Sequence, residues 1–94
     1  MSKLVSVQVK VHGRVQGVFF RDFTCQRARE LGVTGYVSNL PDGKIVAVQA
    51  EGEKAALEKL ISHLKTGPPG ATIEKLNVSW SEYRGNYTGF GIRY

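Results

Sequence analysis

The sequence has few of the residues from which several common kinds of site are built. Its 94 residues contain one cysteine, which excludes an intramolecular disulfide and a cysteine-based zinc site and fits a reducing cytosol. The N-terminal stretch MSKLVSVQVKV lacks the apolar region of about 7–15 residues that a signal peptide needs. No apolar run approaches the ~20 residues of a membrane span. We therefore expect a cytoplasmic protein that does not contact a membrane.

Charge is not concentrated in any one segment, although the chain is basic overall. The formal net charge is +5 and the pI is about 9.6, which favours anionic partners such as phosphates, small anions or nucleic acid. Because no run of five or more basic residues occurs, a solvated basic surface also explains this charge. The length predicts a single domain over residues 1–94, and a hydrophobic share of 41% supports a core.

Alternation of apolar and polar residues predicts the strands. In LVSVQVKVH every second residue from Val5 to Val11 is valine, as expected of a half-buried strand. The turn sequence LPDG then predicts a hairpin between the second and third strands. In the fourth strand the alternation places Trp80 in the sheet core, and the tail predicts a short edge strand. The five predicted strands cover residues 4–12, 33–39, 44–50, 72–84 and 89–94.

Two stretches have helical spacing. Phe20–Leu31 keeps apolar residues on one face and is followed by Gly32, a natural helix stop. Residues 53–66 carry four apolar residues at positions i, i+3, i+4 and i+7, namely Leu57, Leu60, Ile61 and Leu64. The order of elements predicts an α+β fold of the ferredoxin-like split βαβ (βαββαβ) kind. Its mainly antiparallel sheet of four to five strands is covered by two helices on one face.

The predicted topology brings two distant segments to one edge of the sheet. The first and second strands run parallel through a right-handed crossover with one strand between them, so their carboxyl ends lie ~10 Å apart. The loop within HGRVQGVFFRDF follows the first strand, and Asn39 ends the second. Gly13 and Gly17 allow this loop to turn backbone N–H groups inward, beside the helix start and Arg21. A phosphate or carboxylate site is one interpretation, although glycine turns near an arginine are common.

Two motifs resemble those of the acylphosphatase family, whose members hydrolyse carboxyl-phosphate anhydrides. GRVQGVFFR, from Gly13 to Arg21, matches the pattern G-x-V-Q-G-V-x-F-R, and GYVSNLPDG, from Gly35 to Gly43, matches a second family pattern. The resemblance extends over nearly the whole chain. It implies that Arg21 and the backbone N–H groups of the loop bind the phosphoryl group, and that Asn39 positions the attacking water. The implied backbone cradle consists of Val15, Gln16, Gly17, Val18, Phe19 and Phe20. The implied partners are an acyl phosphate substrate and inorganic phosphate, with no cofactor and no metal.

The residues agree with a reaction that needs little acid–base help. An amide such as that of Asn39 is a poor general base. Neither motif contains a His or Glu that could act as the base instead. An acyl phosphate leaves as a carboxylate, whose acid has a pKa of roughly 4, whereas a phosphate monoester leaves as an alkoxide. Asp22, which follows the first motif, is expected to complement the helix dipole. Cys25 is expected to be a small packing residue, and the protein a monomer.

The sequence departs from the family pattern in two places. Ser38 stands where a long, usually basic, residue is common, which lowers the expected charge near the site. One extra residue between Gly43 and Gly52 predicts a bulge or a longer turn.

Two other functional classes remain at this stage. An RNA-binding module shares the fold class and would use exposed aromatic residues, but the predicted third strand KIVAVQA has none. A degenerate acylphosphatase-like module within a larger assembly is the third reading, against which the intact pair of Arg21 and Asn39 argues.

Overall fold

The computed structural model describes residues 3–17 and 19–94. Five strands and two helices follow one another along the chain in the predicted order. Within those residues no helix is both long enough and apolar enough to cross a membrane. The two helices begin and end within one residue of the predicted bounds. The elements are β1 (Leu4–Arg14), α1 (Phe20–Leu31), β2 (Thr34–Asn39), β3 (Ile45–Glu53), α2 (Lys54–Thr66), β4 (Thr72–Glu82) and β5 (Phe90–Ile92).

The strands form one sheet in the order β4-β1-β3-β2-β5. Because β1 and β2 are both antiparallel to β3, they run parallel to each other with β3 between them. Only the pairing of β5 with β2 is parallel, so the sheet is mainly antiparallel and the predicted ferredoxin-like fold is confirmed. The carboxyl ends of β1 and β2 therefore lie at the same end of the sheet, and each sequence motif includes one of these strand ends.

The core lies between one face of the sheet and the two helices. Alternate valines of β1 are opposite valines of β3, as in the pairs Val9↔Val48 and Val11↔Val46. Both helices cover this face with the side chains that their spacing predicted, and Gly32 ends α1 in the left-handed conformation. The fully buried side chains of the helices include Phe20, Ala28, Leu57, Leu60 and Leu64. The other face of the central strands is mostly polar.

One prediction about the strands is wrong, and another is narrowed. Trp80 shares the core-facing side of β4, but its side chain is 41% exposed because β4 is an edge strand that the helices hardly reach. Of the bulge or longer turn predicted between Gly43 and Gly52, the described ladders show no bulge, since β3 pairs in regular steps with both neighbours. The register shift lies instead between His12 and Gly13, where β1 pairs with β4.

Gly13 shows why this shift occurs next to the first motif. Its φ is 136°, and a Cβ atom at this position would overlap the carbonyl oxygen of Thr72 on β4. Its N–H donates to the carbonyl of Lys44 at 3.0 Å. Glycine is thus required by the close approach of two backbones, as its place in the sequence suggested.

The connection from β4 to β5, residues 83–89, must pass three strands to reach the opposite edge of the sheet. Glu51 on β3 holds this connection at its midpoint. Its side chain is only 2% exposed, and its carboxyl oxygens accept hydrogen bonds from the backbone N–H groups of Arg84 (2.9 Å) and Asn86 (3.2 Å). A buried acid whose oxygens are both paired in this way defines the path that leads to β5 and the C-terminal residues.

We expect Glu51→Ala to lower the free energy of unfolding by about 2 kcal/mol, because two backbone donors lose their acceptor at a buried position. Urea unfolding followed by the fluorescence of Trp80 measures this change. Glu58→Ala removes a carboxylate from the exposed face of α2 and should change stability by less than about 0.5 kcal/mol. Equal effects of the two variants would contradict the anchoring role of Glu51.

Candidate functional site

The connection between β1 and α1 has backbone angles suited to an anion-binding loop. Gly17 has φ 77° and Phe19 has φ 59°, so two residues of a short loop are left-handed. Val15 is buried at 1% exposure and fixes the start of the loop in the core. The N–H groups of Gln16, Gly17, Phe19, Phe20 and Arg21 donate no hydrogen bond to any other residue that the structure describes. Val18, also predicted for this cradle, lies outside the described residues.

The side chain of Gln16 joins the two motifs, a role that the sequence did not reveal. Its Nε2 donates to the carbonyl oxygens of Leu40 (2.9 Å) and Ile45 (3.0 Å). These two residues bracket the β2–β3 turn and are themselves linked by the N–H of Leu40 to the carbonyl of Ile45. The loop is therefore attached to the residue that directly follows Asn39.

Arg21 lies in the first turn of α1, where its guanidinium group is directed to the C-terminal residues. The Cζ atom lies 4.9 Å from the centroid of the Tyr94 ring. Among the described residues Arg21 forms no ion pair. Its charge is therefore partly shielded by an aromatic ring but not neutralised, which leaves its planar donor fork available to an anion.

Asn39 is the last residue of β2, at the edge of the sheet where the loop after β1 begins. Its Oδ1 atom is buried and has no hydrogen-bond partner among the described residues. Buried polar atoms without a partner are rare in folded proteins.

Arg21 and Asn39 line one cavity of about 260 Å³. The sequence predicted most of its lining, including Val15, Gly17, Phe19 and Phe20, but missed Asp22, Ile92 and Tyr94. The last two reach the cavity because β5 pairs in parallel with β2, with Ile92 opposite Val37. The only signal for them in the sequence was that the family resemblance extends over nearly the whole chain.

Three other side chains that could carry chemistry, those of Arg14, His12 and Cys25, lie outside this cavity. Arg14 lines a separate, open groove with Lys44 and Glu74. The Nε2 atom of His12 lies 3.1 Å from Nδ2 of Asn77 on β4. Cys25 is 4% exposed and packs in the core, and burial raises the pKa of its thiol although Arg29 opposes this effect. A raised pKa keeps the thiol protonated, and a protonated thiol is a poor nucleophile. Cys25 is therefore a packing residue, as predicted.

The acylphosphatase family model matches residues 7–92. The chain belongs to the acylphosphatase family. It is similar to the acylphosphatase of Dehalococcoides mccartyi, with 49% identity over 89% of this chain and 92% of that protein. It is 45% identical to the acylphosphatase of Archaeoglobus fulgidus, over 97% of this chain and all of that protein. The structure is also similar to the crystal structure of acylphosphatase from Bacillus subtilis, with a TM-score of 0.92 and 33% identity. The match covers 96% of this chain and 99% of that protein.

Membership of the acylphosphatase family makes the protein an enzyme that hydrolyses acyl phosphates. Nothing in its fold favours the RNA-binding alternative. The central strands β1 and β3 have no aromatic residue on either face, whereas RNA-recognition modules stack bases on aromatic side chains there.

We expect Gln16→Ala to weaken this acylphosphatase in two ways. Loss of two hydrogen bonds should lower the free energy of unfolding by about 1–2 kcal/mol. Turnover of benzoyl phosphate should fall as well, since the loop is no longer attached beside Asn39. Steady-state kinetics and urea unfolding measure both effects. Gln26→Ala, on the exposed face of α1, is the matched control. Unchanged turnover in Gln16→Ala would show that the attachment is not needed for catalysis.

Proposed function

We propose that this acylphosphatase works by direct attack of a water molecule, held by Asn39, on a phosphoryl group bound by Arg21 and the loop after β1. The products are a carboxylate and inorganic phosphate. The observation that carries this proposal is that Asn39, at the end of β2, and Arg21, at the start of α1, line one cavity. The two side chains offer complementary functions, one accepting a hydrogen bond and the other binding an anion.

The phosphoryl group is bound by donors that the fold leaves unused. The loop N–H groups described above have no partner among the described residues, and they are close to the N-terminal end of α1, whose dipole favours negative charge. Arg21 adds a fixed positive charge and a planar pair of donors. Such preorganised donors stabilise the charge that spreads over the phosphoryl oxygens in the transition state, and they need no reorganisation during the reaction.

Asn39 acts by orienting water rather than by accepting its proton. Its side-chain amide can hydrogen-bond the water, which directs an oxygen lone pair toward phosphorus. The amide does not become protonated at neutral pH, so we infer that the proton of the water passes to a phosphoryl oxygen. Positioning of this kind contributes by converting an encounter in solution into an attack within a bound complex.

The leaving group explains why no strong acid or base is needed. A carboxylate departs as the stable base of an acid with a pKa of roughly 4, so it requires no proton from the enzyme. Asp22 is the one carboxylate among the described residues that line the cavity. Its side chain is exposed in the first turn of α1, where it is favourably placed for the helix dipole. We assign it no part in proton transfer.

We also propose that the enzyme acts as a cytoplasmic monomer without a metal or nucleic acid. The support for a monomer is that every residue assigned to the reaction comes from one chain. The support for a metal-free reaction is that the loop donors and Arg21 supply the charge stabilisation that a cation would otherwise provide.

Substitution of Arg21 and Asn39 should have different kinetic effects. Arg21→Ala should lower kcat/KM for benzoyl phosphate by about 1000-fold and weaken inhibition by inorganic phosphate, because a transition-state donor is lost. Asn39→Ala should lower kcat by about 100-fold through misplacement of the water, and leave phosphate inhibition largely unchanged. Arg14→Ala and Asn86→Ala remove the same groups outside the cavity and serve as controls. Full turnover by Asn39→Ala would remove the water-positioning role.

The function itself is tested by comparing leaving groups in the presence of EDTA. Benzoyl phosphate should be hydrolysed rapidly and p-nitrophenyl phosphate scarcely at all, because only the first leaves as a carboxylate. Equal rates on both substrates would refute the leaving-group argument.

Asp22→Asn should keep most of the activity toward benzoyl phosphate, whereas a loss of about 100-fold or more would identify Asp22 as a general base.

A further inference from the structure

Phe19 combines an unfavourable backbone conformation with an exposed aromatic ring. Its φ and ψ are 59° and 28°, and it is the one residue other than glycine with a positive φ in the part of the chain that the structure describes. Its side chain is 80% exposed. Within the same described part, the ring stacks on no other aromatic residue and no cation lies over it.

Neither folding nor the shape of the loop explains a phenylalanine at this position. The left-handed conformation costs a residue with a Cβ about 1–2 kcal/mol, and it is rarer still for a bulky side chain. Gly17, two residues earlier, adopts a similar φ without that cost. Because the Phe19 ring is mostly in water, its burial in the free protein does not offset the strain. Strain kept at a binding loop points to a role of the side chain in function.

The position of the ring suggests that role. Phe19 lines the cavity together with Ile92 and Tyr94, whereas Arg21 and the loop donors take the phosphoryl group. Phe19 lines this cavity although its side chain is 80% exposed, so its ring lies at the cavity mouth. An acyl group that extends outward from a phosphoryl group bound at Arg21 would pass this ring. The Tyr94 ring is 96% exposed but lies beside the guanidinium of Arg21, whereas no described cation or aromatic ring contacts the Phe19 ring.

We propose that Phe19 determines specificity by binding the apolar part of the acyl group, so that the enzyme prefers acyl phosphates with aromatic or extended apolar acyl groups to acetyl phosphate. This inference rests on the proposed function, because it takes the phosphoryl group to be bound by Arg21 and the loop. Contact with substrate buries the Phe19 ring and supplies the apolar burial that the free protein lacks.

The test compares benzoyl phosphate with acetyl phosphate in the wild type, Phe19→Asn and Phe19→Leu. Asparagine tolerates the left-handed conformation but offers no apolar surface, so Phe19→Asn should fold at least as stably as the wild type. The ratio of its kcat/KM for benzoyl phosphate to its kcat/KM for acetyl phosphate should fall about tenfold relative to the wild type, mainly through a higher KM for benzoyl phosphate. Phe19→Leu keeps an apolar side chain, so its preference for benzoyl phosphate should lie between those of the wild type and Phe19→Asn.

The outcomes separate this inference from the proposed function. Hydrolysis of neither substrate by the wild type would refute the function itself. Hydrolysis of both, with an equal loss in Phe19→Asn or with no loss, would overturn the specificity role and leave the function intact. Tyr83→Asn, which removes an exposed aromatic ring remote from the cavity, should leave the ratio of the two substrates unchanged.

Discussion

The position of β3 between β1 and β2 is the constraint on which the rest of the molecule depends. Since β3 is antiparallel to both, β1 and β2 end at the same edge of the sheet, two strand spacings apart. A loop that follows β1 and a side chain that ends β2 can then face one small volume. The valine pairs between β1 and β3 maintain this arrangement, because a slip of one residue would move every valine out of the core.

Polar contacts convert this coarse proximity into a defined site. The Gln16 amide attaches the loop after β1 to the β2–β3 turn, and Glu51 directs the β4–β5 connection across the sheet toward β5. Because β5 runs parallel to β2, its carboxyl end lies beside the carboxyl ends of β1 and β2, and this brings Ile92 and Tyr94 to Arg21. Three segments far apart in sequence thus meet at one cavity, each held by hydrogen bonds to backbone atoms rather than by side-chain packing alone.

The chemistry of the cavity follows from the kinds of group gathered there. Backbone N–H groups and a guanidinium offer donors and positive charge, and one amide oxygen offers an acceptor. No arrangement of these groups makes a strong base, so they suit a substrate whose leaving group departs unaided. An exposed ring at the mouth adds an apolar surface on the side where the acyl group extends. We therefore propose that substrate choice depends on the leaving group and on the fit of its apolar part.

Local patterns in the sequence determined the elements and the residue types of the site. Helical spacing predicted α1 at Phe20–Leu31, strand alternation predicted the sheet, and two motifs indicated Arg21 and Asn39. The exposure of Trp80, the regular pairing of β3, the direction of the Gln16 side chain and the arrival of Tyr94 were decided only by the tertiary structure. Periodicity depends on neighbours within one element, whereas these four features depend on which strand lies at the edge and which segments meet across the sheet.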